Sequence, residues 1–127
     1  MDTVERYIQI VQQLLNDSVS LPVSNTANID REVVFDTKHH RYLLLSLGWF
    51  KGQRVHHVVI HIDIIDEQVW IQANNTDRLI AEELVEAGVP PQSIVLGLQP
   101  PEIRPHTAYG VPHSTQPPQS LNSLTQA

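Results

Sequence analysis

Seven side chains in two segments of this chain could do chemistry: His57, His61, Asp63, Trp70 and Gln72 near the middle, and Glu102 with Arg104 in the Pro-rich run PPEIRP. The stretch HIDIIDEQVWIQ, residues 61–72, reads as two strands joined by a tight acidic turn. Alternation puts Ile60, Ile62 and Ile64 on one side of the first strand and His61 and Asp63 on the other. With Asp66 and Glu67 in the turn, Ile64 should sit across from Val69, Ile62 from Ile71, Asp63 from Trp70 and His61 from Gln72. A slip of one residue would spoil both faces. One face is therefore aliphatic. The other gathers His57, His61, Asp63, Trp70 and Gln72, with Asn74 at its end, and is the candidate functional face. Glu102 and Arg104 could add an ion pair or a polar hook for a partner.

Those residue types suggest three chemistries, and the spacing argues against each. Imidazole and carboxylate suit zinc and other transition metals. Residues two apart on one strand face, however, stand roughly 6.5–7 Å apart and converge poorly on one ion. A metal-dependent nuclease hairpin would want a second carboxylate and a lysine near Asp63. The segment Gln72-Ala73-Asn74 supplies neither. Ser46, Ser93 and Ser114 stand in no Gly-x-Ser-x-Gly setting, and there is no Gly-rich phosphate loop. The expectation is a protein with no catalytic residue, no metal and no cofactor.

The elements that must position these residues begin with a helix at 2–17. Val4, Tyr7, Ile8, Val11, Leu14 and Leu15 follow the helical stripe, and Asp2 with Glu5 stand at capping-box spacing. A linker containing Pro22 and Asn25 leads to strands near 30–36, 41–50, 54–65 and 68–73. Their connections are too short for crossovers, which implies an antiparallel meander. With Lys51 and Gly52 as a two-residue turn, Leu45 pairs with Val58 and Leu43 with Ile60, extending the aliphatic face across three strands. Val33, Phe35, Tyr42 and Leu44 then fall on the second face, where only the C-terminal segment is at hand to cover them. Large apolar patches are uncommon on monomers, so these four form a candidate homodimer interface.

A second helix is expected over about 77–87, with Thr76 as N-cap, Asp77 at the positive end of the helix dipole and Gly88 as the stop. A short strand in 93–98 completes an α+β domain: a four-stranded antiparallel β-meander, two helices on one face and a short C-terminal strand. Residues 1–111 read as that single domain. Residues 112–127 contain no Asp, Glu, Lys or Arg and read as a flexible Pro/Ser/Gln tail.

Composition narrows the function classes. The 127 residues suit one domain, and a hydrophobic fraction of 41% suits a globular one. No apolar run approaches the roughly 18 residues of a membrane span. The start, MDTVERYIQ, has no basic region of the secretory type. The absence of cysteine excludes disulfides and thiolate chemistry. Together these suggest a cytoplasmic protein. Eight Lys and Arg against fourteen Asp and Glu give a net charge of −6. Phosphate contacts come mainly from clustered cations, so DNA recognition would need a strip built from Arg31, Lys38, Arg41 and Arg54. Autonomous nucleic-acid binding is not expected.

The runs FDTKHHRYLLLSLGW, HIDIIDEQVWIQ, IAEELVEAGVP, SIVLGL and PPEIR, in that order and spacing, resemble the XisI family of cyanobacterial controlling factors for excision of the fdxN element. The resemblance spans residues 1–111. It implies an accessory role in site-specific DNA rearrangement during heterocyst development, beside a separate recombinase and a partner of the XisH type. It carries no catalytic residue onto this sequence. The leading expectation is thus a non-catalytic controlling factor acting through protein contacts. The alternative is a small-ligand binder or enzyme using His61, Asp63, Trp70 and Gln72.

Overall fold

The computed structural model describes residues 2–19 and 28–113. The linker around Pro22 and Asn25, and the expected tail from Ser114 onward, lie outside the described residues. The first helix, α1 (Thr3–Val19), buries Tyr7, Val11, Leu14, Leu15 and Ser18 along one stripe, the periodicity a helix needs to cover a sheet. Asp2 fills the N-cap: its Oδ1 accepts the Val4 N–H at 3.3 Å. The helix runs two residues past its expected end, and the Ser18 hydroxyl donates back to the Leu14 carbonyl at 2.8 Å.

Strands β1 (Ile29–Asp36), β2 (Arg41–Phe50), β3 (Gln53–Ile65) and β4 (Gln68–Asn74) follow, then α2 (Ile80–Ala87) and β5 (Ile94–Leu96). The sheet order is β1-β2-β3-β4-β5. The first four strands are antiparallel, as expected of such short links, and β5 lies parallel to β4 because α2 carries the chain back. Both helices pack on one face of the sheet. Positive φ at Lys51 and Gly52 (51° and 76°) and at Asp66 and Glu67 (51° and 63°) marks two tight hairpin turns of the type that matches strand twist. Gly88, at φ 120°, ends α2 as expected; its N–H bonds to the Val85 carbonyl.

The start of α2 differs from the sequence reading. Thr76 is not its cap. Asn74 Oδ1 accepts from the Thr76 hydroxyl at 2.6 Å, and Thr76 Oγ1 accepts the Arg78 N–H at 3.0 Å. Asn74 and Thr76 thereby close a side-chain-bonded turn, and the helix begins only at Ile80, after Leu79, which offers no side-chain cap.

Two bulges rearrange the faces. On β3, Leu44 pairs with Ile60 but Leu45 with Val58, leaving Val59 extra. On β4, Ile62 pairs with Ile71 but His61 with Ala73, leaving Gln72 extra. The pairings Ile64–Val69, Ile62–Ile71, Asp63–Trp70 and Leu45–Val58 stand as the alternation implies. Leu43–Ile60 and His61–Gln72 do not: Leu43 faces His61, and His61 faces Ala73. A side-chain period of two means each extra residue inverts everything beyond it. The expected interface is corrected accordingly. Tyr42 and Leu44 share a face with Ile60 and Ile62, are fully buried under the helices, and have Val33 and Phe35 packed against the same core. Phe35 tilts onto Tyr42 with ring centroids 5.6 Å apart. These four side chains stabilise the monomer's interior and cannot form an open docking patch.

The same inversion puts Leu43, Leu45 and Leu47 on the helix-free face, half exposed. The aliphatic core face thus comprises Tyr42 and Leu44 on β2, Ile60, Ile62 and Ile64 on β3, and Val69 and Ile71 on β4. Ile80 and Leu84 of α2 and Ile94 of β5 complete it.

Candidate functional site

Four of the predicted site residues do come together, on the outer face away from the helices. Asp63 is at their centre, 9% exposed. His61 Nε2 lies 2.7 Å from Asp63 Oδ1, and Gln72 Nε2 donates to Asp63 Oδ2 at 3.2 Å. The β4 bulge makes this contact: as the extra residue, Gln72 can turn its amide toward β3. Trp70 stands directly across from Asp63. Its indole N–H is buried with no hydrogen-bond partner among the described residues.

Arg104 joins this group from outside the sheet. Its guanidinium carbon lies 5.2 Å from the Trp70 ring centroid, a cation–π distance. Its Nε donates to the carbonyls of Leu96 and Gln99 at 3.1 and 3.2 Å, and its Nη2 to that of Gly97 at 3.4 Å. Burial depresses the pKa of this guanidinium, against the opposing field of Glu102. Gly97 presses so closely on Gln72 and Trp70 that a Cβ there would push the Gln72 amide aside. Residues 97–104 therefore lie across the polar face, with Arg104 as the clasp.

Two expected members fall away. The β3 bulge sends His57 to the opposite face, where it pairs with Ser46 and is exposed. That separates it from His61 and removes any shared ligand set. Glu102 is exposed, and no ion pair joins it to Arg104 among the described residues. The arginine's donors go to backbone carbonyls instead.

The chemical capacity of the cluster follows from this wiring. A His–Asp pair can orient an imidazole for proton transfer. Here both Asp63 oxygens are already engaged, and the neighbours are an indole, an amide and backbone. Such a network holds a strand pair and an overlying segment in one arrangement.

Gln68 is a structural residue that alternation did not single out. It is fully buried at the start of β4. Its amide donates to the Val111 carbonyl at 2.9 Å and its Oε1 accepts the His113 N–H at 2.8 Å, tying the C-terminal segment to the sheet. Its one sequence signal is a polar residue between a turn and an apolar run. A second such group joins Arg78 to Glu83 at 2.7 and 3.1 Å and to the Ser18 hydroxyl at 2.6 Å, linking the start of α2 to the end of α1.

Comparison with known proteins places this architecture. The XisI protein family matches residues 1–111, the whole of the α+β domain. The crystal structure of a XisI-like protein from Anabaena variabilis is 41% identical, superposes with a TM-score of 0.79, and covers 87% of this chain and all of its own. The crystal structure of the fdxN element excision controlling factor XisI from the same organism is 26% identical, with a TM-score of 0.74 and the same coverage. No curated protein matches. With the family spanning the folded region and a solved relative alike over its full length, this chain belongs to the XisI family.

Proposed function

We propose that this protein is a non-catalytic controlling factor for site-specific DNA excision, acting by contacting other proteins rather than DNA. The observation that supports this most is where the arginines go. Arg31 sits on the helix-covered side and donates to the Ser18 carbonyl at 3.3 Å. Arg78 is bound to Glu83 and Ser18, and Arg104 to carbonyls. Arg41 and Arg54 share the outer face but pair at opposite ends of the β2–β3 ladder, about 26 Å apart by strand rise. The strip of Arg31, Lys38, Arg41 and Arg54 that phosphate contacts would need is thus split between two faces.

A net charge of −6 adds to the disadvantage at DNA and favours a cationic protein surface. A partner of the XisH type, met in the cytoplasm beside the recombinase, is the contact this proposal calls for. Among the described residues no helix is long and apolar enough to cross a membrane.

The test is complementation. Supplied to a cyanobacterium that carries the fdxN element but lacks its own controlling factor, the chain should restore the excision junction. A stably expressed, folded chain that leaves the element in place would refute the proposal. A second reading, a ligand or catalytic site at His61, Asp63, Trp70 and Gln72, rests on the indole N–H of Trp70, unpartnered among the described residues and directly across the ladder from Asp63. Under that reading His61→Ala abolishes function. Under ours it leaves excision intact.

A further inference from the structure

We propose that the helix-free face of β1–β3 is the contact surface of a two-fold homodimer in which β2 of one copy lies over β2 of the other. Helices cover the opposite face, and among the described residues, 97–104 cover only the β4 end of this one. Down its middle run Leu43, Leu45, Leu47 and Trp49 of β2, flanked by Val34 on β1 and Val58 on β3. Trp49 is 55% and Val34 44% exposed, and a contiguous apolar stripe of this kind marks an interaction surface.

The rows across the strands identify the occupant. Asp30, Leu47 and His56 form one row, Glu32, Leu45 and Val58 the next, and Val34, Leu43 and His61 the one after. Trp49 pairs with Arg54, whose guanidinium carbon lies 5.6 Å from its ring centroid. The apolar column therefore has an acidic column on the β1 side, Asp30 and Glu32, and a basic one on the β3 side, Arg54 and His56. All four flanking residues are exposed.

A two-fold axis parallel to β2 lays each leucine on its own counterpart. It also exchanges the flanks, so the acidic column of one copy meets the basic column of the other. Isologous contacts demand this self-complementarity. A partner of unrelated sequence would have no reason to match the rows, whereas a second copy matches them by symmetry. Sheets packed in this way stand about 10 Å apart with strands roughly 30° from alignment, close enough for the flanking charges to pair.

The inference is independent of the excision reading. Sedimentation equilibrium of the full chain at tens of micromolar should return twice the chain mass. Leu45→Glu should return a monomer with unchanged far-UV circular dichroism. Asp30→Arg and His56→Asp should each weaken association, by roughly tenfold or more. Mixing the D30R chain with the H56D chain should restore it, because one new arginine–aspartate pair and one native pair then form. A native chain that stays monomeric throughout this range overturns the proposal and leaves the face to a different protein. A mixture that associates no better than its two components overturns the registry.

Discussion

Replacing Leu44 by Ala should destabilise the fold far more than replacing its neighbour Leu43. Unbroken alternation predicts the reverse, because it places Leu43 in the core and Leu44 outside. The bulge at Val59 exchanges them: Leu44 is fully buried between β1 and β3, and Leu43 lies half exposed on the outer face. Truncating Leu44 removes three carbons, about 2.4 kcal/mol of transfer free energy at about 0.8 per carbon. The cavity left under α1 raises the total to about 3–5 kcal/mol. Leu43→Ala should cost less than about 1.5 kcal/mol, since its side chain already meets water.

Urea unfolding followed by circular dichroism reads both. With a slope of about 1.5 kcal/mol per molar, the Leu44 variant's midpoint should fall by about 2 M or more and the Leu43 variant's by less than about 1 M. Two protein concentrations separate any contribution from self-association. Equal shifts, or a larger one for Leu43, would refute the bulge and every face assignment that follows from it.

Other perturbations test the remaining contacts. Gln68→Ala leaves the Val111 carbonyl and the His113 N–H without their partner. It should cost about 1–3 kcal/mol, and hydrogen exchange should show the His113 amide losing protection first. Arg104→Ala should free residues 97–104 from the sheet and red-shift Trp70 emission when read in a Trp49→Phe background. The cost should be about 1–2 kcal/mol through the lost stacking and carbonyl bonds. At Asp36, the His39 side chain and the His39 and Lys38 amides hold the carboxyl below its ordinary 3.8. A depressed folded pKa stabilises above the ordinary value and is lost as pH falls through the folded one. Asp36→Asn should therefore flatten the acid limb of the stability profile, with the carboxyl resonance followed by NMR as the check.

The sequence carried most of the architecture because its signals were local. Stripe and cap were visible for α1 and the stop for α2, and two-residue turns fixed the hairpins at Lys51-Gly52 and Asp66-Glu67. Bulges were not legible, since Val59 and Gln72 look like ordinary members of alternating strands. Only Asn75, which bonds the carbonyls of Val58 and Val59, marks the first of them. One extra residue was enough to move Tyr42 and Leu44 into the core and His57 away from His61. That Asp63 faces Trp70 beside His61 was legible because a two-residue turn dictates which side chains face each other near it, whereas the Gln72 contact depends on the β4 bulge. The Arg104 clasp was hidden: a contact across an irregular Pro-rich segment has no periodic signature. Gln68 stayed hidden for the same reason, its partners lying more than twenty residues away.

That control runs through protein contacts and not through DNA can be checked by titrating fluorescently labelled duplex DNA with the purified chain at near-physiological salt. The split cations and net charge of −6 predict no rise in anisotropy into the tens of micromolar and no steep salt dependence. Submicromolar binding that weakens steeply with added salt would contradict it.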